Sequence, residues 1–180
     1  MIDNDGWLRD IPHCPSPNCD DRPNSMVPEV IIIHAISLPP RQYGGQGIQQ
    51  LFTNSLSSEE HPYYAKICDM QVSAHFLVRR TGEVIQFVSC HQRAWHAGHS
   101  ECLGRDRVND FSIGIELEGC DQESFTRIQY QALATLVKDI HSTFPMTRQN
   151  PLYGHSDIAP GRKTDPGPCF QWDRFQYLLE

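Results

Sequence analysis

Glu29-Val30-Ile31-Ile32-Ile33-His34 is the stretch that decides the fold. Four consecutive β-branched residues favour an extended backbone, and the lack of polar alternation marks a strand buried on both faces. Such strands belong inside α/β sheets, where ligands bind just outside the strand carboxyl ends. His34 closes the run, at a place where a side chain is held rigidly yet reaches solvent.

Outward from this strand the chain carries further elements. Residues 71–78 and 84–88 read as two strands around Arg80-Thr81-Gly82-Glu83, a good hairpin turn. Residues 111–118 alternate, with Phe111, Ile113, Ile115 and Leu117 on one face and Ser112, Gly114, Glu116 and Glu118 on the other. A helix is predicted over 126–144. Thr126 and Gln129 form a capping box, Ile128, Leu133, Leu136, Val137, Ile140 and Phe144 make one apolar stripe, and Pro145 stops it. Trp172, Phe175 and Leu179 mark a short closing helix, while the proline-rich stretch 12–28 reads as an irregular lead-in. Between 35 and 69 no strong period appears beyond one short helix around Ile48–Thr53, so this stretch is predicted to be a long lid-like loop beside a site. The order predicts an α/β fold, a mixed central sheet with packed helices, in a single domain over 1–180.

A chain of 180 residues suits one domain, and at that size roughly two-thirds of the unfolded surface is buried without staples. Net charge is −7 with no basic stripe, which argues against a nucleic-acid partner. The acidic N-terminus lacks an apolar signal segment, and the run from Val30 to Ile36 is too short to span a bilayer. A cytoplasmic location is therefore expected, with no membrane association and no obligate protein partner. Seven irregularly spaced cysteines then read as free thiols. His13, Cys14 and Cys19 lack the second half of a zinc motif.

Nine histidines are many for this length. His34, His155 after the Tyr153-Gly154 turn, and Asp165 before Pro166 supply two imidazoles and a carboxylate, a ligand number that leaves the fourth position of a catalytic zinc to water. Spacing alone does not separate this from a sheet-end histidine, a turn residue and a cap. Glu116 has two readings as well: a carboxylate facing a cleft over the small residues Ser112 and Gly114, or one on a solvated outer face that Glu118 also suits. Lys163 projects from the same side of an extended segment as Asp165, where a cation could bind an oxyanion, or it is a surface lysine.

Several blocks carry a resemblance. They are residues 34–40 (HAISLPP), 73–76 (SAHF), 93–98 (RAWHAG), 109–119 (NDFSIGIELEG) and 155–167 (HSDIAPGRKTDPG). Together they resemble the type 2 N-acetylmuramoyl-L-alanine amidase family, which also contains T7-type phage lysozyme and the peptidoglycan recognition proteins. Within it the likeness is to the cytosolic branch acting on anhydro-muramyl peptides, and it runs from Trp7 to nearly the last residue.

The resemblance implies the T7 lysozyme-like amidase fold, one Zn2+ held by His34, His155 and Asp165, Glu116 as general base and Lys163 as oxyanion stabiliser. It implies an anhydro-muropeptide substrate, a place in peptidoglycan recycling and an indirect part in β-lactamase induction. Ala35 stands where the family usually has Asn, and Ser156 where it usually has Cys. Tyr63, Trp95 and Arg107 are the expected substrate contacts, Trp95 by stacking on a sugar face and Arg107 by pairing with a stem-peptide carboxylate. His75 and His96 are expected behind the ligands or in the core. Two rivals are a wall-lysing amidase, which would want an export signal or wall-binding module, and a non-catalytic muropeptide-binding module, which usually lacks the third metal ligand.

Overall fold

A computed structural model describes residues 1–180. In chain order the strands are β1 (Cys19–Asp21), β2 (Val30–Ile36), β3 (Phe76–Val78), β4 (Val84–Gln86), β5 (Gln92–Ala94), β6 (Glu101–Cys102), β7 (Arg105–Asp106), β8 (Ser112–Glu118) and β9 (Leu152–Gly154). The helices are α1 (Gly47–Phe52), α2 (Arg127–Thr143), α3 (Met146–Gln149), α4 (His155–Ile158) and α5 (Trp172–Leu179). The central sheet has the order β4-β3-β8-β2-β9. Only the β3–β4 hairpin is antiparallel, so the sheet is mixed, and the β-branched strand lies inside it as expected. Val30 to Ile33 are fully buried, which is why that run can be apolar on both faces.

One face packs on α2 and α5. Ile31, Ile33, Ile113 and Ile115 meet Leu133, Val137, Ile140 and Phe175 there, each buried side chain contributing about 1.5–3 kcal/mol. The α2 capping box forms in full: Thr126 Oγ1 accepts from the Gln129 amide at 3.2 Å, and Gln129 Oε1 accepts from the Thr126 amide at 3.0 Å. Ile128 departs from the predicted stripe. It is 51% exposed, because the first turn of α2 overhangs the hairpin, where Ile128 meets Gly82.

The opposite face carries two separate apolar clusters. Leu77, Ile85 and Phe87 pack with Leu38, Leu51, Phe52 and Tyr64. Val30 and Ile32 pack with Ala97, Val108, Phe111 and Ile158. Phe111 thus lies on the face opposite the one expected, since it ends a 3₁₀ turn, Val108–Phe111, before β8 begins. Residues 71–75 precede β3 rather than belonging to it, and the lead-in supplies β1, which pairs with β5.

The 35–69 stretch is more structured than its lack of period suggests. It finishes β2, forms α1 and a short turn at Tyr64–Lys66, and buries Leu38, Leu51, Phe52 and Tyr64. Glu118 ties it to the sheet, accepting from the Gly44 amide at 2.6 Å and from Arg79 Nη1 at 3.2 Å, while Arg79 also donates to the Gly45 carbonyl at 2.8 Å. No helix is long and apolar enough to cross a membrane.

Candidate active site

The site lies between the two apolar clusters of the outer face, at the carboxyl ends of β2 and β8. Parallel pairing sets His34 beside Glu116 and Glu116 beside Leu77, so all three side chains leave the sheet on one face. A cleft of ≈ 280 Å³ opens there, and its walls include Tyr63, Trp95, Glu116, His155, Lys163 and Asp165.

His34, His155 and Asp165 come together. His34 Nδ1 lies 2.9 Å from His155 Nδ1 and 3.3 Å from Asp165 Oδ2, and His155 Nδ1 lies 3.2 Å from the same oxygen. Donor atoms around a tetrahedral zinc with ligands at about 2.0–2.1 Å are about 3.3–3.4 Å apart, so the triangle is close to the required size. Its chemistry fits too. The Ala97 carbonyl can only accept, and it lies 3.1 Å from His155 Nε2, so that imidazole carries its proton on Nε2 and aims a bare Nδ1 at the centre. These three residues could hold a divalent cation, and two of them, His155 and Asp165, line the cleft.

The surroundings set the charge states. Burial lowers the pKa of His34 to about 4, so it is a neutral imidazole at neutral pH. Burial would raise Asp165, and what holds its carboxylate low without a cation is proton donation from His155 and His34, which the arrangement with a bare Nδ1 gives up. Glu116 is the opposite case. Burial pushes its pKa well above the ordinary carboxylate value, the Asp165 charge adds to that, and Lys163 opposes it. Its Oε2 is buried without a hydrogen-bond partner.

Glu118, two residues on and on the same face, shows what a structural carboxylate looks like here: Arg79, the Gly44 amide and the Arg80 amide all donate to it. The outer sheet face is therefore not solvated, and Glu116 is the carboxylate left without donors. Lys163 is exposed on the cleft wall.

Tyr63 and Trp95 line the cleft, half-buried beside Leu51, Phe52 and Ile67. The Trp95 indole donates to Asp20 at 3.2 Å, and Arg93 grips Asp20 at 2.7 and 2.5 Å. Arg107 is not brought to the cleft. Its turn conformation sends the side chain outward to pair with Asp110 at 3.2 Å. Ala35 borders the cleft at the end of β2, and Ser156 follows His155 in α4.

The floor differs from the open one that Ser112 and Gly114 suggest. The His96 ring lies on Gly114 so closely that a Cβ there would come within 2.4 Å of it. His96 also lies 2.9 Å from His34 Nε2. His75 is wholly buried and takes the Gly114 amide on Nδ1 at 3.0 Å. Asn109 and Arg162 lie in blocks that carry the resemblance, but their site-shaping role is not legible there, because their partners are backbone atoms of the 96–99 segment.

A mixed sheet that gathers two imidazoles, an aspartate and an unpartnered glutamate at one site has the groups of a metal-assisted hydrolase. The chain matches the family of N-acetylmuramoyl-L-alanine amidases over residues 24–168, and it belongs to that family. It is 48% identical over 179 residues to the 1,6-anhydro-N-acetylmuramyl-L-alanine amidase AmpD of Escherichia coli K12, covering 99% of this chain and 97% of that protein. The AmpD of Haemophilus influenzae is 45% identical over 170 residues, 94% of this chain and 92% of that one. A crystal structure of a Se-Met AmpD derivative superposes with a TM-score of 0.97 at 48% identity, each chain fully covered. The amidase AmiD of E. coli, in complex with anhydro-N-acetylmuramic acid-L-Ala-D-gamma-Glu-L-Lys, gives a TM-score of 0.61 at 32% identity, over 84% of this chain and 57% of that one.

Proposed function

We propose that this chain is a zinc-dependent amidase that cuts the bond between anhydro-N-acetylmuramic acid and L-alanine in muropeptides. The carrying observation is the His34–His155–Asp165 triangle beside a carboxylate that no donor satisfies. The relatives named for 1,6-anhydro-N-acetylmuramyl-L-alanine support the substrate, as does the AmiD complex with an anhydro-muramyl peptide. The reading extends to a cytoplasmic part in peptidoglycan recycling, and through it to β-lactamase induction, the setting that the resemblance implies.

A zinc ion held by His34, His155 and Asp165 would supply Lewis acidity, which polarises an amide carbonyl and makes water acidic near pH 7. Glu116 takes the proton of the attacking water as its oxygen bonds to the lactyl carbonyl carbon. Its poorly solvated carboxylate is a stronger base than a free one. The Lys163 ammonium faces the oxygen that gains charge in the tetrahedral intermediate. Glu116 then gives its proton to the departing L-alanine nitrogen, so the products are a lactyl carboxylate and a free amino terminus. Trp95 and Tyr63 offer ring faces to the sugar. The 35–69 segment supplies one wall of the cleft as a lid-like part of the single 1–180 domain.

The test is mass spectrometry of the products from a purified anhydro-muropeptide, with zinc content measured on the same protein. The expected result is free stem peptide plus anhydro-muramic acid, about one zinc per chain, and loss of both zinc and turnover on chelation. Glycosidic products, or full turnover without metal, would refute the assignment.

A further inference from the structure

Both histidines of the triangle lean on one short strap of backbone. Asn109 Oδ1 accepts the amide N–H of His96 at 3.2 Å and that of Ala97 at 2.8 Å, fixing the strap to the turn before β8. From it the Ala97 carbonyl accepts the His155 Nε2 proton at 3.1 Å. The His96 ring reaches the other ligand, with Nδ1 at 2.9 Å from His34 Nε2 and its own Nε2 at 3.1 Å from Ser112 Oγ. Gly114 gives the ring its seat, and no side chain larger than hydrogen fits there without displacing it.

We propose that His96 and Asn109 are positioning residues that hold both ligand imidazoles with Nε2 protonated and Nδ1 bare towards Asp165. This rests on the metal reading above. A neutral imidazole has one donor and one acceptor nitrogen. For His34 to offer a lone pair at Nδ1, its proton must sit on Nε2 and be accepted by His96 Nδ1. His96 then donates its Nε2 proton to Ser112 Oγ. The reverse arrangement places a proton on His34 Nδ1, where it opposes any cation. Asn109 acts one step further back: its oxygen is the contact that the two backbone amides share, and without it the strap keeps only the Arg162 bonds to the Ala97 and His99 carbonyls, at 2.7 and 2.6 Å, which leave the His96 ring unanchored. Partners behind metal-ligating histidines typically govern affinity by 10–100-fold.

The experiment measures zinc dissociation constants by chelator competition on the full chain, together with ¹H–¹⁵N long-range spectra of His34 and His155. Asn109→Asp keeps the accepting oxygen and Asn109→Leu removes it. His96→Asn places an amide oxygen where Nδ1 stood, whereas the oxygen of His96→Gln reaches only the Nε2 position. Asn109→Leu and His96→Gln should weaken zinc about 10–100-fold and show mixed tautomers, while Asn109→Asp and His96→Asn stay close to wild type. Should the leucine variant fail to fold, the His96 pair decides. Equal affinity in His96→Asn and His96→Gln, with zinc still lost from His34→Ala, overturns the proposal and leaves the metal site standing. Zinc retained in His34→Ala overturns the metal site and the proposal with it.

Discussion

Replacing Glu116 by glutamine should make the metal-free protein more stable at alkaline pH while removing its activity. Oε2 of Glu116 is buried without a partner, whereas Glu118 on the same face has three donors. Burial raises the folded-state pKa well above the ordinary value of 4.5, with Asp165 adding to the shift. The sign follows from proton binding. Below the ordinary value the carboxyl is neutral in both states and costs nothing extra. As the pH climbs from there to the raised folded value, the unfolded chain ionises first, the folded state holds the extra proton, and stability falls.

The full penalty is that of a buried group left unsatisfied, about 1–3 kcal/mol. Glutamine is neutral throughout, so its advantage over wild type should be near zero at acid pH. It should grow to about 1–3 kcal/mol once the wild-type carboxyl is ionised in both states. Urea denaturation of both proteins in chelator, across a pH series, measures this difference while the rest of the molecule largely cancels. On the zinc-loaded protein, the same substitution should lower kcat by about 10²–10⁴-fold with unchanged metal content. A stability difference independent of pH, or a less stable variant at alkaline pH, would refute the desolvated carboxylate. Near-normal turnover would refute its role as the base.

Lys163→Ala should lower kcat by roughly 3 kcal/mol in transition-state terms with zinc retained, and a change confined to KM would reassign Lys163 to substrate binding. An anhydro-muropeptide should exceed the reducing-end muropeptide with the same stem in kcat/KM by at least about tenfold, or about 1.4 kcal/mol; equal rates, or rapid clearing of purified sacculi, would indicate a general wall amidase. Thr126→Ala removes the hydroxyl of the α2 capping box and should cost about 0.5–2 kcal/mol in thermal or urea unfolding without altering zinc content. An unchanged midpoint would show that α2 is held by its packed face alone.

The sequence by itself determined the elements whose causes are local. Four β-branched residues before His34 specify a strand, Thr126 and Gln129 specify a helix start, and Arg80-Thr81-Gly82-Glu83 specifies a turn, because each rests on neighbours within one helical turn or one hairpin. The family blocks also drew attention to Glu116, His155, Lys163 and Asp165, which border one cleft, and to His34, which is buried behind it against His155 and Asp165.

The tertiary structure decided everything that depends on register and burial. Parallel pairing of β2 with β8 sets His34 against Glu116, and no local pattern encodes that alignment. Glu116 and Glu118 are alike in the alternating pattern, yet only one finds donors, since these come from the distant Arg79 and Gly44. Arg107 was a plausible carboxylate clamp by residue type, but its backbone turn directs it to Asp110 and away from the cleft. Ile128 fits the helical period, yet it lies past the edge of the packed face. Ala97 and Asn109 lie in the family blocks, yet what they support behind the two imidazoles is not legible there, for the same reason. Asn109 and Ala97 act through an amide oxygen and a backbone carbonyl, groups whose partners are chosen only when the chain has closed around them.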